Sequence, residues 1–221
     1  MPNPTNSDRE PISELTTGRL SVYLRCLNYL ESMGQETVSS HELAERFHLN
    51  SAQIRKDLAY FGEFGTRGVG YNVAHLRRHL ISTLGLEQTR HAIIMGAGNL
   101  GMALADYRGF NSNGFNIVAL LDVDRDKIGR TSRTGIPVVA YERLPEIVNA
   151  NEVDIGIIAV TPENAQQVYE ALVDAGIRAI LNFAPVQMRL CSGVKVKSVD
   201  LRINLESLSF YLKSAEDGTA E

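Results

Sequence analysis

Residues 91–101 read HAIIMGAGNLG, with Gly96, Gly98 and Gly101 in a G-x-G-x-x-G spacing. The spacing follows an apolar run and precedes a helix-compatible segment, roughly Asn99 to Tyr107. No other feature constrains the fold as strongly. A strand must enter a tight turn, and a helix must begin at once and lie close against that strand. The first glycine permits the turn and the second leaves room for a pyrophosphate. The third lets helix and strand meet, and the helix N-terminus favours phosphate charge. A second apolar run, NIVALL, ends in Asp122, 21 residues after Gly101. An acid there is placed to accept hydrogen bonds from adenosine ribose hydroxyls, which favours NAD over NADP. Arg125, three residues on, weakens that preference slightly. The expected cofactor residues are Gly96, Ala97, Gly98, Asn99, Leu100, Gly101 and Asp122, with Tyr107, Thr161 and Phe183 beyond them.

Further units continue the alternation. DIGIIAV reads as a strand with Thr161 at its carboxyl end, and residues 163–175 read as a helix closed by Gly176. AILNF reads as the next strand. Alternating strands and helices imply a parallel, doubly wound, Rossmann-like sheet. A dehydrogenase on this fold needs an acid or base near the nicotinamide. His41, His48, His75 and His79 precede the domain, and His91 begins its first strand, at the end away from the crevice. This argues against catalysis, although lysines and tyrosines remain.

Before the glycine signature the pattern is helical. Leu20, Tyr23, Leu24, Leu27 and Leu30 form one stripe over residues 19–33, with Thr17 as the expected cap and Gly34 as the stop. Ser39 and Glu42 have capping-box spacing, and Asn50 or Ser51 can cap a third helix, AQIRKDLAYF. Two short helices around a tight turn form a helix-turn-helix, whose second helix enters the major groove. Ile54, Leu58 and Phe61 should face inward, leaving Ser51, Gln53, Arg55, Lys56 and Tyr60 as candidate DNA contacts. Gln can pair with adenine, and Arg or Lys with guanine or phosphate. The following stretch, GEFGTRGVGYNV, suits a glycine-rich wing with Arg67 and Gly68 at its tip. Arg67 there could enter a minor groove. Asn72 then caps a fourth helix that ends at Gly85. The same pattern also fits an ordinary surface hairpin after a helical bundle.

Charge favours the DNA reading. The chain has 221 residues and a net charge of −4. Residues 46–78 hold six basic residues against two acidic ones, a local +4 that leaves −8 for the rest. A basic module on an acidic protein fits DNA binding. No apolar run reaches the ~18–20 residues of a membrane span. The polar first residues lack a signal-peptide core, which points to a cytoplasmic protein. Cys26 and Cys191 do not form a metal spacing, so no metal is expected; Cys26 reads as a core residue, and a thiol switch at Cys191 is the lesser reading. Leu201, Leu205, Leu208 and Leu212 make an amphipathic final helix, which could close its own core or reach a partner subunit. The expected division is a disordered tail over 1–13, a winged helix over 14–87, the dinucleotide domain over 88–200, a final helix over 201–213 and a disordered tail over 214–221.

IRKDLAYFGEFGTRGVGYNV, GAGNLGMALADYRGF, LLDVD, ILNFAPV and VDLRINLESLSF, in this order and spacing, resemble Rex, the bacterial redox-sensing transcriptional repressors. The resemblance runs from about residue 14 to 213. It implies a homodimer bound to an inverted-repeat DNA operator, and NADH, sensed against NAD⁺, releasing that DNA. It also implies a C-terminal helix exchanged between subunits, packed between the partner's two domains. Arg25, Tyr107 and Asp200 match the family's switch positions, and Phe110 and Phe183 are further candidates for the nicotinamide wall. An NAD-dependent dehydrogenase with a helical appendage and a CoA-binding regulatory module remain as rival readings.

Overall fold

The computed structural model describes residues 13–216, apart from 63, 67, 112 and 113. The chain divides into two compact units after Gln88.

The first unit opens with α1 (Glu14–Ser32), whose Leu20, Tyr23, Leu24, Leu27 and Leu30 are buried. It starts a turn before the expected cap. Ser13 accepts from the Thr16 amide, while the Thr17 hydroxyl donates back to the Glu14 carbonyl inside the helix. The helix stops at Gly34 (φ +74°), where the Gln35 amide donates to the Leu30 carbonyl, the closing bond of a Schellman motif. Strand β1 (Thr37–Val38) and helix α2 (Ser40–Phe47) follow, then α3 (Ser51–Phe61). The Ser39 hydroxyl accepts from the Glu42 amide, and the Asn50 side chain from the Gln53 amide. His48 takes a left-handed conformation (φ 54°) at the turn between α2 and α3.

A hairpin of β2 (Gly65–Thr66) and β3 (Gly70–Asn72) then adds to β1, giving an antiparallel sheet in the order β1-β3-β2. Gly70 cannot be replaced cheaply, because φ is +97° and a Cβ would lie 2.5 Å from the Val38 carbonyl oxygen. Helix α4 (Val73–Thr83), capped by Asn72, packs on α1. The unit is a winged helix-turn-helix.

The second unit is a six-stranded parallel sheet. Its strands are β4 (Arg90–Met95), β5 (Phe115–Asp122), β6 (Val138–Ala140), β7 (Ile155–Ile158), β8 (Ala179–Asn182) and β9 (Lys195–Ser198). Their spatial order, β6-β5-β4-β7-β8-β9, is the Rossmann arrangement, with the switch point between β4 and β7. Helices α5 (Asn99–Ala105), α6 (Arg108–Asn111), α7 (Leu144–Ala150) and α8 (Pro162–Asp174) lie between strands. Both sheet faces are covered, so β4 is apolar and buried from Ala92 to Met95. Ile93 and Met95 join α7 and α8 residues in one cluster, and Ala92 and Ile94 join Ala97 and Ala105 in another.

The last element is α9 (Leu201–Glu216). Its stripe does not close a core within the chain: Leu201, Leu205, Leu208 and Leu212 are all exposed. Among the described residues, no helix is long and apolar enough to cross a membrane.

Candidate functional site

The glycine turn sits at the switch point, where an open parallel sheet leaves a crevice. Gly96 has φ +105°, and a Cβ on it would lie 2.6 Å from the Ala159 carbonyl oxygen at the end of β7. A Cβ on Gly101 would overlap the Gly96 carbonyl oxygen, so α5 lies this close to the turn after β4 only because position 101 is glycine. Gly98 differs. It is extended, and nothing lies within 4 Å of where its Cβ would be. Open space faces the backbone at the position where a pyrophosphate would approach. Gly98 also leaves α5 without a side-chain cap.

Asp122 ends β5 beside this turn. Its Oδ2 accepts from the Ala97 amide at 2.7 Å and from Lys127 Nζ at 3.2 Å, and its Oδ1 accepts from the Asp124 amide at 2.9 Å. Burial raises the pKa of this carboxyl, but the Asp124 and Ala97 amides and Lys127 outweigh it and hold the group below the usual range. A carboxylate offers about four lone-pair sites, so capacity remains for a ribose hydroxyl. A cavity of about 380 Å³ adjoins it, lined among others by Gly96, Gly98, Asp122, Lys127, Thr161 and Asn164. The Thr161 hydroxyl accepts from the Asn164 amide at 3.1 Å.

Gly96, Gly98, Asp122 and Thr161 thus come together around one cavity. Ala97 is buried behind them, and Asn99 and Leu100 are exposed in the first turn of α5. Tyr107 and Phe183 lie outside the cavity lining. Phe183 is half-buried with Phe110 in the sheet's inner cluster. Tyr107 is exposed, its ring edge-on to Phe110 at 5.1 Å. Lys127 and Asn164 escaped the sequence reading; Lys127's position five residues after Asp122 was the available signal.

On the first unit, Ser51, Gln53 and Tyr60 are half-exposed and Arg55 and Lys56 exposed on α3. Arg55 donates to the Ser40 hydroxyl at 3.0 Å, and the Tyr60 ring stands edge-on to Phe61 at 5.2 Å. Gly68 (φ +83°) is exposed in the hairpin turn. Arg67 falls outside the described residues.

The Gln53 side-chain nitrogen donates to Asp57 at 2.7 Å. Asp57, one of the two acidic residues in the basic segment, is only 4% exposed. It accepts from Arg19 at 2.6 and 2.8 Å and from the Tyr23 hydroxyl at 2.9 Å. Burial works against this carboxylate, but the hydrogen bonds from Arg19, Gln53 and Tyr23 prevail and lower its pKa. Burial, then Asp57, pushes the Tyr23 phenol well above its ordinary value. The cluster ties α3 to α1 and removes one negative charge from the basic surface. Arg77 is likewise drawn inward, to Asn28 at 2.6 Å and Glu31 at 3.1 Å.

Arg25 is exposed on α1 in the first unit. Asp200, in the second, accepts from the Arg202 amide at 2.9 Å at the start of α9.

Comparison with known proteins decides the family. The chain is 49% identical over 199 residues to the redox-sensing transcriptional repressor Rex of Desulfitobacterium hafniense, covering 90% of this chain and 94% of that protein. It is 50% identical over 202 residues to the Rex repressor of Carboxydothermus hydrogenoformans, covering 91% and 97%. The chain belongs to the Rex family of redox-sensing transcriptional repressors. These relatives are named as repressors and not as enzymes, and the dehydrogenase reading falls. The structure of RSP in complex with β-NAD⁺ and operator DNA is similar, with a TM-score of 0.87 and 37% identity over 94% of this chain and 95% of that one. RSP in complex with β-NADH gives 0.82 and 36%, over 94% and 97%. Family models described as "Putative DNA-binding protein N-terminus" and "CoA binding domain" match residues 11–59 and 87–186.

Proposed function

We propose that this Rex-family repressor holds an inverted-repeat operator as a homodimer in the cytoplasm and releases it when NADH enters the crevice at Gly98 and Asp122. One observation carries the reading: a chain with a winged helix also has a glycine turn whose middle glycine faces open space and whose ribose acid borders the adjoining cavity. The residues fit a dinucleotide. Gly96, Ala97, Gly98, Asn99, Leu100 and Gly101 form the pyrophosphate turn, and Asp122 takes the adenosine ribose. Thr161 lines the cavity, while Tyr107 and Phe183 serve the nicotinamide end. On DNA, Lys56, Arg55 and Ser51 face the major groove, Tyr60 flanks them, and Arg67 and Gly68 form the wing tip. Gln53 acts mainly by holding the recognition helix through Asp57.

NAD⁺ and NADH differ by the positive charge on the nicotinamide ring. A water-poor, aromatic-lined site disfavours the charged ring by desolvation. Such a ligand shifts the protein between arrangements only by its differential affinity for them, and the coupling is reciprocal. Arg25, Tyr107 and Asp200 make the contacts that change between states. The exposed leucine stripe of α9 is buried against the partner subunit, as an exchanged helix would be.

Titration of the protein with NADH, NADPH and CoA by calorimetry tests the ligand. NADH is expected to bind most tightly, and Asp122→Ala to lose most of that affinity. Tighter binding of CoA than of NADH would replace this reading with a CoA-responsive regulator.

A further inference from the structure

Asp106 ends α5, and its carboxylate is only 8% exposed. Its partners come from the loop before β6. Oδ1 accepts from the Thr134 amide at 2.9 Å and lies 3.0 Å from the Thr134 hydroxyl, and Oδ2 accepts from Arg133 Nε at 3.1 Å. That loop is itself fixed. Thr131 bridges to Pro137, the Ser132 amide donates to the Ile136 carbonyl at 2.8 Å, and the Ser132 hydroxyl accepts from the Ile136 amide at 3.2 Å. The end of the glycine-loop helix is therefore fastened to a rigid turn.

The next residue is Tyr107. The residue is 59% exposed. A Cβ on Gly109 would lie within 2.6 Å of the ring's Cε1, Cζ and hydroxyl, so a side chain there would displace the ring from this position. The Phe110 ring meets it edge-on, and the Phe110 amide donates to the Tyr107 carbonyl at 3.3 Å.

We propose that Asp106 and Gly109 are positioning residues for Tyr107, presenting its ring in one orientation so that the cofactor state can act on it. The proposal rests on the reading of Tyr107 as part of the NADH response. Preorganised side chains lose less freedom when they engage, so a held ring couples more strongly than a free one.

The test is the ratio of operator affinity without and with saturating NADH, measured for the full-length protein and for Gly109→Ala, Asp106→Ala, Asp106→Asn and Tyr107→Ala. Gly109→Ala is expected to lower the ratio by about fivefold or more, within the usual range of allosteric coupling, while operator affinity without NADH stays within about twofold. Asp106→Ala is expected to behave likewise. Asp106→Asn, which keeps an acceptor for the Thr134 amide, should retain most of the ratio. Adding Gly109→Ala to Tyr107→Ala should change nothing further, since no ring remains to be displaced. A purely structural role for Gly109 would instead lower the ratio again in that background, which overturns the proposal. An unchanged ratio in Tyr107→Ala itself would remove the underlying reading of Tyr107. A lowered ratio in Tyr107→Ala with parental ratios in Gly109→Ala and Asp106→Ala would leave that reading intact and refute the positioning.

Discussion

Replacing Asp57 by alanine removes one acceptor shared by Arg19, Tyr23 and Gln53. Tyr23 is 2% exposed, so its hydroxyl loses its partner in the core, at a cost of about 1–3 kcal/mol. The Arg19 side chain is 34% exposed and can turn toward water, so the ~3–5 kcal/mol seen for breaking a fully buried pair is an upper bound. Together these place the loss at about 2–4 kcal/mol. For a unit of this size, each kcal/mol shifts Tm by roughly 4–8 °C, so the first unit should melt roughly 10 °C or more below the parent. Differential scanning calorimetry at neutral pH reads this directly. The pH dependence has a definite sign. The folded carboxyl has a lowered pKa, so its contribution is present above the unfolded value of about 3.9 and is lost as pH falls through the folded value. The gap between the parent and Asp57→Asn should therefore hold above about pH 5 and narrow below about pH 4. An Asp57→Ala protein that melts within a degree of the parent would refute the view that this cluster holds the recognition helix to α1.

Three further outcomes are expected. Gly101→Ala places a methyl group on the Gly96 carbonyl oxygen, and overpacking of this kind costs about 1–3 kcal/mol; calorimetry should show NADH affinity lowered about tenfold or more, with operator binding retained. Lys56→Ala should weaken operator and non-specific DNA binding together and reduce the slope of log affinity against log salt by about one unit, as anisotropy at several salt concentrations would show. Cys191 is exposed, whereas burial pushes the Cys26 thiol up, so a thiol reagent should label one cysteine quickly in the native protein and the second only on unfolding.

The glycine turn was legible because its spacing is set by close approaches that no side chain survives, and the structure places Gly96 and Gly101 in those approaches. Ser39, Asn50 and Asn72 were legible as caps because each stands directly before a helical pattern. The start of α1 was not, because PISELTT offers several capping residues and only the fold selects Ser13. Strands β1, β6 and β9 are short, and β9 reads Lys-Val-Lys-Ser at a sheet edge, where charge discourages further pairing and erases the apolar signal. The burial of Asp57 was not legible, because its partner Arg19 lies 38 residues away and no local pattern announces a partner at that distance. Lys127 reaches Asp122 only through the turn that follows β5.

The central claim is that cofactor and DNA binding are coupled in one chain. Fluorescence anisotropy of an inverted-repeat promoter fragment, titrated with the protein at fixed salt, tests it when repeated with saturating NADH and with saturating NAD⁺. The account predicts tight binding that NADH abolishes and NAD⁺ does not. Equal operator affinity in all three conditions would contradict it.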